Sequence, residues 1–320
     1  MGAVDPTGVK PSARAAAARL RVDSATAEVL RAFDVARVQT VLLKGASNRQ
    51  WLGDASGKDR WYADCDLLVR PQDGDAAERV LTALGFCPDF ETRKMPAWWR
   101  EHGLAWRSSD DGAIIDLHQT LPGVQVDDKR AWHLLSAGAE QIVVAGYPAQ
   151  ALAIPGRAMH LALHAAHHGP DWSMGLSDLA CAVEDVDGKT WQAAAELAHQ
   201  LGATTAFVAG LAMVSSGETL IERLELVPAP GMEVALLGSS ARAPALTVER
   251  FVRAESLRIR LSIIWRKLVP PPTFMRHWSP LARRGRSGLL VAYGWRPVWV
   301  LAHALPAVKA WRRARRSMKD

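Results

Sequence analysis

The period of the apolar positions changes several times along the first half of the chain, and each change marks an element. Residues 12–37 place Ala, Leu and Val at helical spacing between arginines, which predicts one or two opening helices. The short run Gln39-Thr40-Val41-Leu42-Leu43 is apolar and partly β-branched, so it reads as a buried strand. Lys44-Gly45-Ala46-Ser47 breaks that strand, Asn48 to Leu52 begins a helix, and Gly53 to Lys58 reads as a loop. A second strand follows in Arg60-Trp61-Tyr62-Ala63-Asp64-Cys65-Asp66-Leu67-Leu68-Val69. Asp73 to Leu84 is an amphipathic helix, apolar at Ala76, Val80, Leu81 and Leu84 and closed by Gly85. Residues 104–108 and 113–118 read as strands around Ser109-Asp110-Asp111-Gly112, a hairpin signal, and 140–154 as another β pair turning at Gly146.

After Pro155 the period becomes helical throughout. Helices are predicted over 156–168, 176–186, 190–201 and 203–215, with a long one over 244–268 ended by Pro270-Pro271-Pro272. Ser287 to Trp311 is apolar but interrupted by Arg296, Pro297 and Pro306, so it reads as a packed or interfacial segment rather than a spanning one.

With 320 residues, 49% of them hydrophobic, the chain can bury a substantial core and has the length of about two domains. Its three cysteines, Cys65, Cys87 and Cys181, lack CxxC spacing, and Met1 to Pro6 lacks a basic stretch leading into an apolar core. A reduced protein in a cytoplasmic location is therefore expected, and a membrane is not expected among its partners. Charge is divided unevenly: residues 250–320 carry 17 Lys and Arg against 2 Asp and Glu, a net of +15, which leaves −9 on residues 1–249 of a total of +6. Such a basic end is either a solvated helical face or a surface for phosphates, nucleic acid or anionic lipid.

The chemistry concentrates in the second strand. Side chains alternate faces along a strand, so Asp64 and Asp66 point the same way. Two adjacent carboxylates repel unless a cation lies between them, and hard oxygen ligands suit magnesium or manganese. Asp116 alternates with apolar neighbours in Ala113-Ile114-Ile115-Asp116-Leu117-His118. His118 falls on the same face, for contact with a bound phosphate or in support of the acids. His160, His164 and His167 share a helix face at i, i+4, i+7, but no glutamate follows His160 or His164, so a zinc protease motif is missing. Packing and hydrogen bonding are the expected roles of these histidines, ahead of substrate contact or zinc. There is no P-loop, no Rossmann fingerprint and no G-x-S-x-G elbow.

Leu43-Lys44-Gly45, the run Arg60 to Val69 with its Asp-x-Asp, and Asp116-Leu117-His118 occur in an order that resembles the uncharacterised bacterial nucleotidyltransferases of the DNA polymerase beta-like superfamily. Leu161 to His168, Asp178-Leu179-Ala180 and Pro270 to Pro280 are similar too. The resemblance implies an α+β fold: a small mixed β-sheet nucleotidyltransferase core with flanking helices, followed by a mainly α-helical region. The domains would be N-terminal helices over 1–37, the core with its β extension over 38–154, and a helical substrate or acceptor region over 155–320. It implies a metal-dependent enzyme moving an NMP from an NTP to a hydroxyl or phosphate acceptor, such as a biosynthetic peptide, a glycan precursor or RNA. Asp64, Asp66 and Asp116 would be catalytic and hold Mg2+ or Mn2+. Lys44, Gly45, Ala46, Ser47 and Arg60 would bind the nucleotide, Gly45 admitting the phosphate and Lys44 and Arg60 offsetting its charge. The superfamily usually has Gly-Gly or Gly-Ser at this turn, whereas here Gly45 is followed by Ala46. The rival reading is a non-catalytic protein of the same fold that docks an acidic partner or nucleic acid through its basic end.

Overall fold

Seven strands pair into one mixed sheet in the computed structural model, which describes residues 11–53, 62–88, 103–170, 172–226, 242–254 and 256–317. The strands are β1 (Thr40–Leu42), β2 (Asp64–Val69), β3 (Phe86–Pro88), β4 (Gly103–Ser108), β5 (Ile114–His118), β6 (Glu140–Val144) and β7 (Tyr147–Ala151). Their spatial order is β3-β4-β5-β2-β1-β7-β6. β2 lies at the centre, antiparallel to β1 and parallel to β5, and β4–β5 and β6–β7 are the two expected hairpins.

One face of the sheet is sealed by α1 (Pro11–Ala36) and α3 (Gly74–Ala83), with α2 (Ala46–Leu52) between β1 and β2. The alternation along β2 and β5 explains which face. Cys65, Leu67, Val69, Ile115 and Leu117 are buried and join Val22, Val29 and Phe33 of α1 and Ala77 and Leu81 of α3 in one apolar core. Asp64, Asp66, Asp116 and His118 occupy the intervening positions and so face the other way. The opening segment is a single helix. It is tied to the start of β2 by the Tyr62 hydroxyl, which donates to Asp23 Oδ1 at 2.6 Å.

α4 (Asp128–Ser136) lies between β5 and β6, where the period predicts no helix. Beyond Pro155 the chain is helical as expected, with α5 (Ile154–His168), α6 (Ser173–Asp185), α7 (Gly188–Gln200) and α8 (Thr204–Leu211), and α9 (Ser215–Arg223) begins at the end of the helix expected over 203–215. Asp127 and Asp187 cap α4 and α7 by accepting from the amides two and three residues on. Arg157 is buried in α5, held by the Leu152 carbonyl and the Glu140 carboxylate. The chain divides into two compact units, one within residues 1–89, 102–163 and 178–204 and the other within 90–101, 164–177 and 205–320. The sheet belongs to the first.

Two expectations need correction. The long helix expected over 244–268 is two helices, Arg242–Arg253 and Leu257–Leu268. Ser256 caps the second by accepting from the Ile259 amide, a local bond that competes with continuing the first. Pro297 and Pro306, expected to interrupt the apolar segment, lie inside one continuous helix, Arg286–Ser317. Two side-chain anchors hold it in the turn just before Pro297: Tyr293 donates to the Pro270 carbonyl and Arg296 to that of Lys267. Among the described residues no helix is long and apolar enough to cross a membrane.

Candidate active site

Parallel pairing of β2 with β5 sets Asp66 directly beside Asp116, with Asp64 one pleat away beside Ile114. The three carboxylates read from the sequence are thus brought to one face of two adjacent strands. Asp66 is buried; Asp64 and Asp116 are partly open. Lys44, at the end of β1, enters between the first two: its Nζ lies 3.2 Å from Asp66 Oδ2 and 3.7 Å from Asp64 Oδ2. His118, two residues beyond Asp116, reaches back so that its Nε2 is 2.9 Å from Asp66 Oδ1. Asp66, Asp116 and His118 each offer a ligand atom within 4.8 Å of the others. Asp64 is outside that group and borders Lys44 instead.

The electrostatics follow from burial and neighbours. Burial would raise the Asp66 carboxyl, but Lys44 and the His118 hydrogen bond outweigh it and hold the group down at about 2. At Asp116 the attraction of His118 and Lys44 is outweighed. Burial, reinforced by the Asp66 charge, pushes its carboxyl up to about 7. Asp64 is also raised, by burial first and then by Asp66. Burial alone would lower Lys44, yet Asp66 and Asp64 hold it above its ordinary value and so charged. Asp116 Oδ1 is buried without a hydrogen-bond partner among the described residues, next to a second carboxylate. A buried lone pair of this kind is costly unless something electropositive approaches it.

The turn that follows β1 bends as a glycine allows. Gly45 has φ 71° and ψ −114°, and a Cβ there would sit 3.4 Å from the Tyr62 ring. Ala46 and Ser47 open α2, but Ser47 is fully buried, so its hydroxyl lies beneath the surface. Arg60 lies outside the described residues. His160 is buried, hydrogen-bonded to the Leu43 backbone and close enough to Asp66 to feel its charge; burial lowers its imidazole to about 4, which keeps it neutral. His164 and His168 approach through Nε2 at 3.1 Å and both pack on the Trp172 ring, an aromatic cluster in the second unit. That is the packing role the sequence favoured.

One contributor escaped the sequence. Gly103 on β4 is the register partner of His118, and a Cβ on Gly103 would come within 2.7 to 3.0 Å of three atoms of the His118 ring. The missing side chain is what lets the imidazole lie across β4 and reach Asp66. Gly103→Ala is therefore expected to push His118 off Asp66 and weaken Mn2+ binding about 10- to 100-fold, read by paramagnetic resonance of free Mn2+. Unchanged affinity would show that this imidazole does not support the acids.

The face as a whole offers hard anionic donors, one permanent cation and a neutral imidazole behind them. A family model described as uncharacterised nucleotidyltransferase matches residues 10–216. Among solved structures, the solution structure of the antibiotic-resistance factor ANT(2'')-Ia is similar over 58% of this chain and 92% of that chain, at 16% identity and a TM-score of 0.37. No curated protein matches this chain.

Proposed function

Because the chain belongs to the family of uncharacterised nucleotidyltransferases, matched over residues 10–216, we propose that it transfers an NMP from an NTP to a hydroxyl or phosphate acceptor with the help of a divalent cation. The observation that carries this reading is the register of β2 on β5, which puts Asp64, Asp66 and Asp116 on one face and leaves Asp116 Oδ1 buried and unpartnered. The donor set fits an ion: Asp66, Asp116 and His118, two carboxylates and an imidazole, offer ligand atoms within 4.8 Å of one another, and Asp64 lies beside them on the same face.

Asp64, Asp66 and Asp116 are the residues that would hold Mg2+ or Mn2+. Bound there, such ions supply positive charge to the α-phosphate and to the attacking and leaving oxygens of an in-line displacement. The chain's own residues do the rest. Lys44, kept charged by Asp66 and Asp64, offers a cation to the triphosphate beside the turn at Gly45. The positive φ of Gly45 brings the backbone close enough for the amides of Ala46 and Ser47 to approach a phosphate. Without a cation the Asp116 carboxyl is raised to about 7; beside a bound cation it would stay ionised, as a ligand and as the oxygen that takes the acceptor's proton. His118 and Gly103 set the rotamer of Asp66. Arg60, on the family pattern, adds a second cation for the phosphates.

The acceptor is drawn by family analogy from peptides, glycan precursors and RNA. Calorimetry with ATP, GTP, CTP and UTP in the presence of Mg2+ tests the first step, and passage of an α-phosphate label to these acceptors tests the second. At least one nucleotide is expected to bind. If none does, the site is not an NTP site and the protein is better read as a non-catalytic member of the fold that docks through its basic end.

A further inference from the structure

The family match ends at residue 216, and the chain's most unusual surface lies beyond it. Of the 18 large apolar side chains exposed among the described residues, 13 fall between 257 and 305. That density is far from the scatter of single exposed apolar residues that any soluble surface shows.

They are ordered on two helices of the second unit. On Leu257–Leu268 the exposed residues Leu257, Leu261, Ile264 and Trp265 follow i, i+4, i+7, i+8 and form one stripe. On Arg286–Ser317 the exposed residues Val291, Trp295, Val298 and Leu305 form another, about 21 Å long at 1.5 Å per residue. Trp265 is 65% exposed and Trp295 55%. Between Arg286 and Lys309 the single Lys, Arg, Asp or Glu is Arg296. It points away from the stripe: it is 3% exposed, lies over the rings of Phe274, Trp278 and Trp299, and donates to the Lys267 carbonyl. The exposed side of this helix is thus apolar along its middle and strongly cationic at both ends, with Arg284 and Arg286 before it and Arg312, Arg313, Arg315 and Arg316 after it, all exposed.

We infer that these two helices dock the protein on the surface of an anionic lipid bilayer. The apolar stripes with their tryptophans would enter the headgroup boundary, and the terminal arginines would meet lipid phosphates. Charge decides against the other occupants. A second copy of this chain would bring two segments of net +15 together. Nucleic acid would answer the arginines but leave the Leu, Ile and Val stripes uncovered. No spanning helix is required, since the helices would lie in the interface plane, so the absence of a spanning helix among the described residues does not bear on it.

The test is flotation of the full-length protein with phosphatidylcholine vesicles, with and without about a third phosphatidylglycerol. The protein is expected to float with the anionic vesicles, with tryptophan emission shifted to the blue, and to be released by high salt. The pair Trp265→Ser and Trp295→Ser changes only exposed side chains and is expected to weaken that binding at least 10-fold. Circular dichroism of the pair checks that the helices remain. Absence of flotation, equal flotation with pure phosphatidylcholine, or flotation untouched by the substitutions would overturn the inference. So would light scattering that shows a dimer dissolved by the same pair, which would assign the stripes to self-association.

Discussion

Asp116→Asn is expected to abolish nucleotidyl transfer and, in the same variant, to make the metal-free protein more stable at pH 8. The two effects come from one cause. The Asp116 carboxyl is driven from its ordinary 3.8 to about 7 by burial and by Asp66 beside it. A carboxylic acid with a raised native pKa binds its proton more tightly folded than unfolded. Its contribution to stability is therefore intact below the unfolded pKa, declines as pH rises toward 7, and above 7 has become a penalty on the order of 4 kcal/mol. Asparagine keeps the shape and never ionises, so the penalty disappears. Transfer requires the charge: without it, a ligand of the cation and the acceptor of a proton are both gone. A fall in kcat/KM of about 10³-fold, or roughly 4 kcal/mol of transition-state stabilisation, is expected. The checks are label transfer for the activity and thermal unfolding in chelator at pH 8 and pH 5 for the stability. The stabilising effect should be large at pH 8 and much smaller at pH 5. An active variant would sink the catalytic assignment of Asp116; an inactive variant that is less stable at pH 8 would show that the carboxylate serves the fold.

The sequence made Asp64, Asp66 and Asp116 legible because strand period is a local property: residues two apart share a face wherever the strand is placed. The register Asp66 to Asp116 is not local. It depends on two strands 50 residues apart choosing each other, and the family pattern supplied that order. Gly103 was illegible for the same reason, since its meaning comes from lying opposite His118 across β4 and β5. His118 was noticed only as a neighbour in the Asp-Leu-His run, while its contact to Asp66 requires the third dimension. Short elements were also missed. β3 is three residues long and ends in Pro88, which gives no period to read. α4 carried a usable signal in its Asp127 cap, but nine residues between polar turns offer little amphipathic length. Over 286–317 propensity pointed the wrong way, because anchors at Pro270 and Lys267 carry the helix past Pro297 at the cost of the hydrogen bonds a proline denies.

The opposite substitution is Leu67→Ala, one residue from Asp66 and on the other face of the sheet. Leu67 is fully buried, flanked in register by Leu42 of β1 and Leu117 of β5, and joins the core that α1 and α3 close. Truncating it removes three carbons from the centre of that core. The lining strands are hydrogen-bonded on both edges and have little freedom to collapse into the gap, so a loss of about 3 to 4 kcal/mol is expected, near the middle of the range for buried leucines. Its effect on chemistry should be small while the protein stays folded. The period-2 alternation that points Asp66 at the site points residue 67 away from it, and the ladder holding Asp66 beside Asp116 is backbone. Urea unfolding is expected to show the lowered midpoint, and kcat of the folded variant at 15 °C to remain within about threefold of the parent. A loss of activity as large as that of Asp116→Asn would mean that the core leucine sets the geometry of the acids directly. If instead the two variants part as expected, one gaining stability as it loses transfer and the other losing stability with transfer preserved, then β2 divides its labour by face, with the fold on one side of the strand and the chemistry on the other.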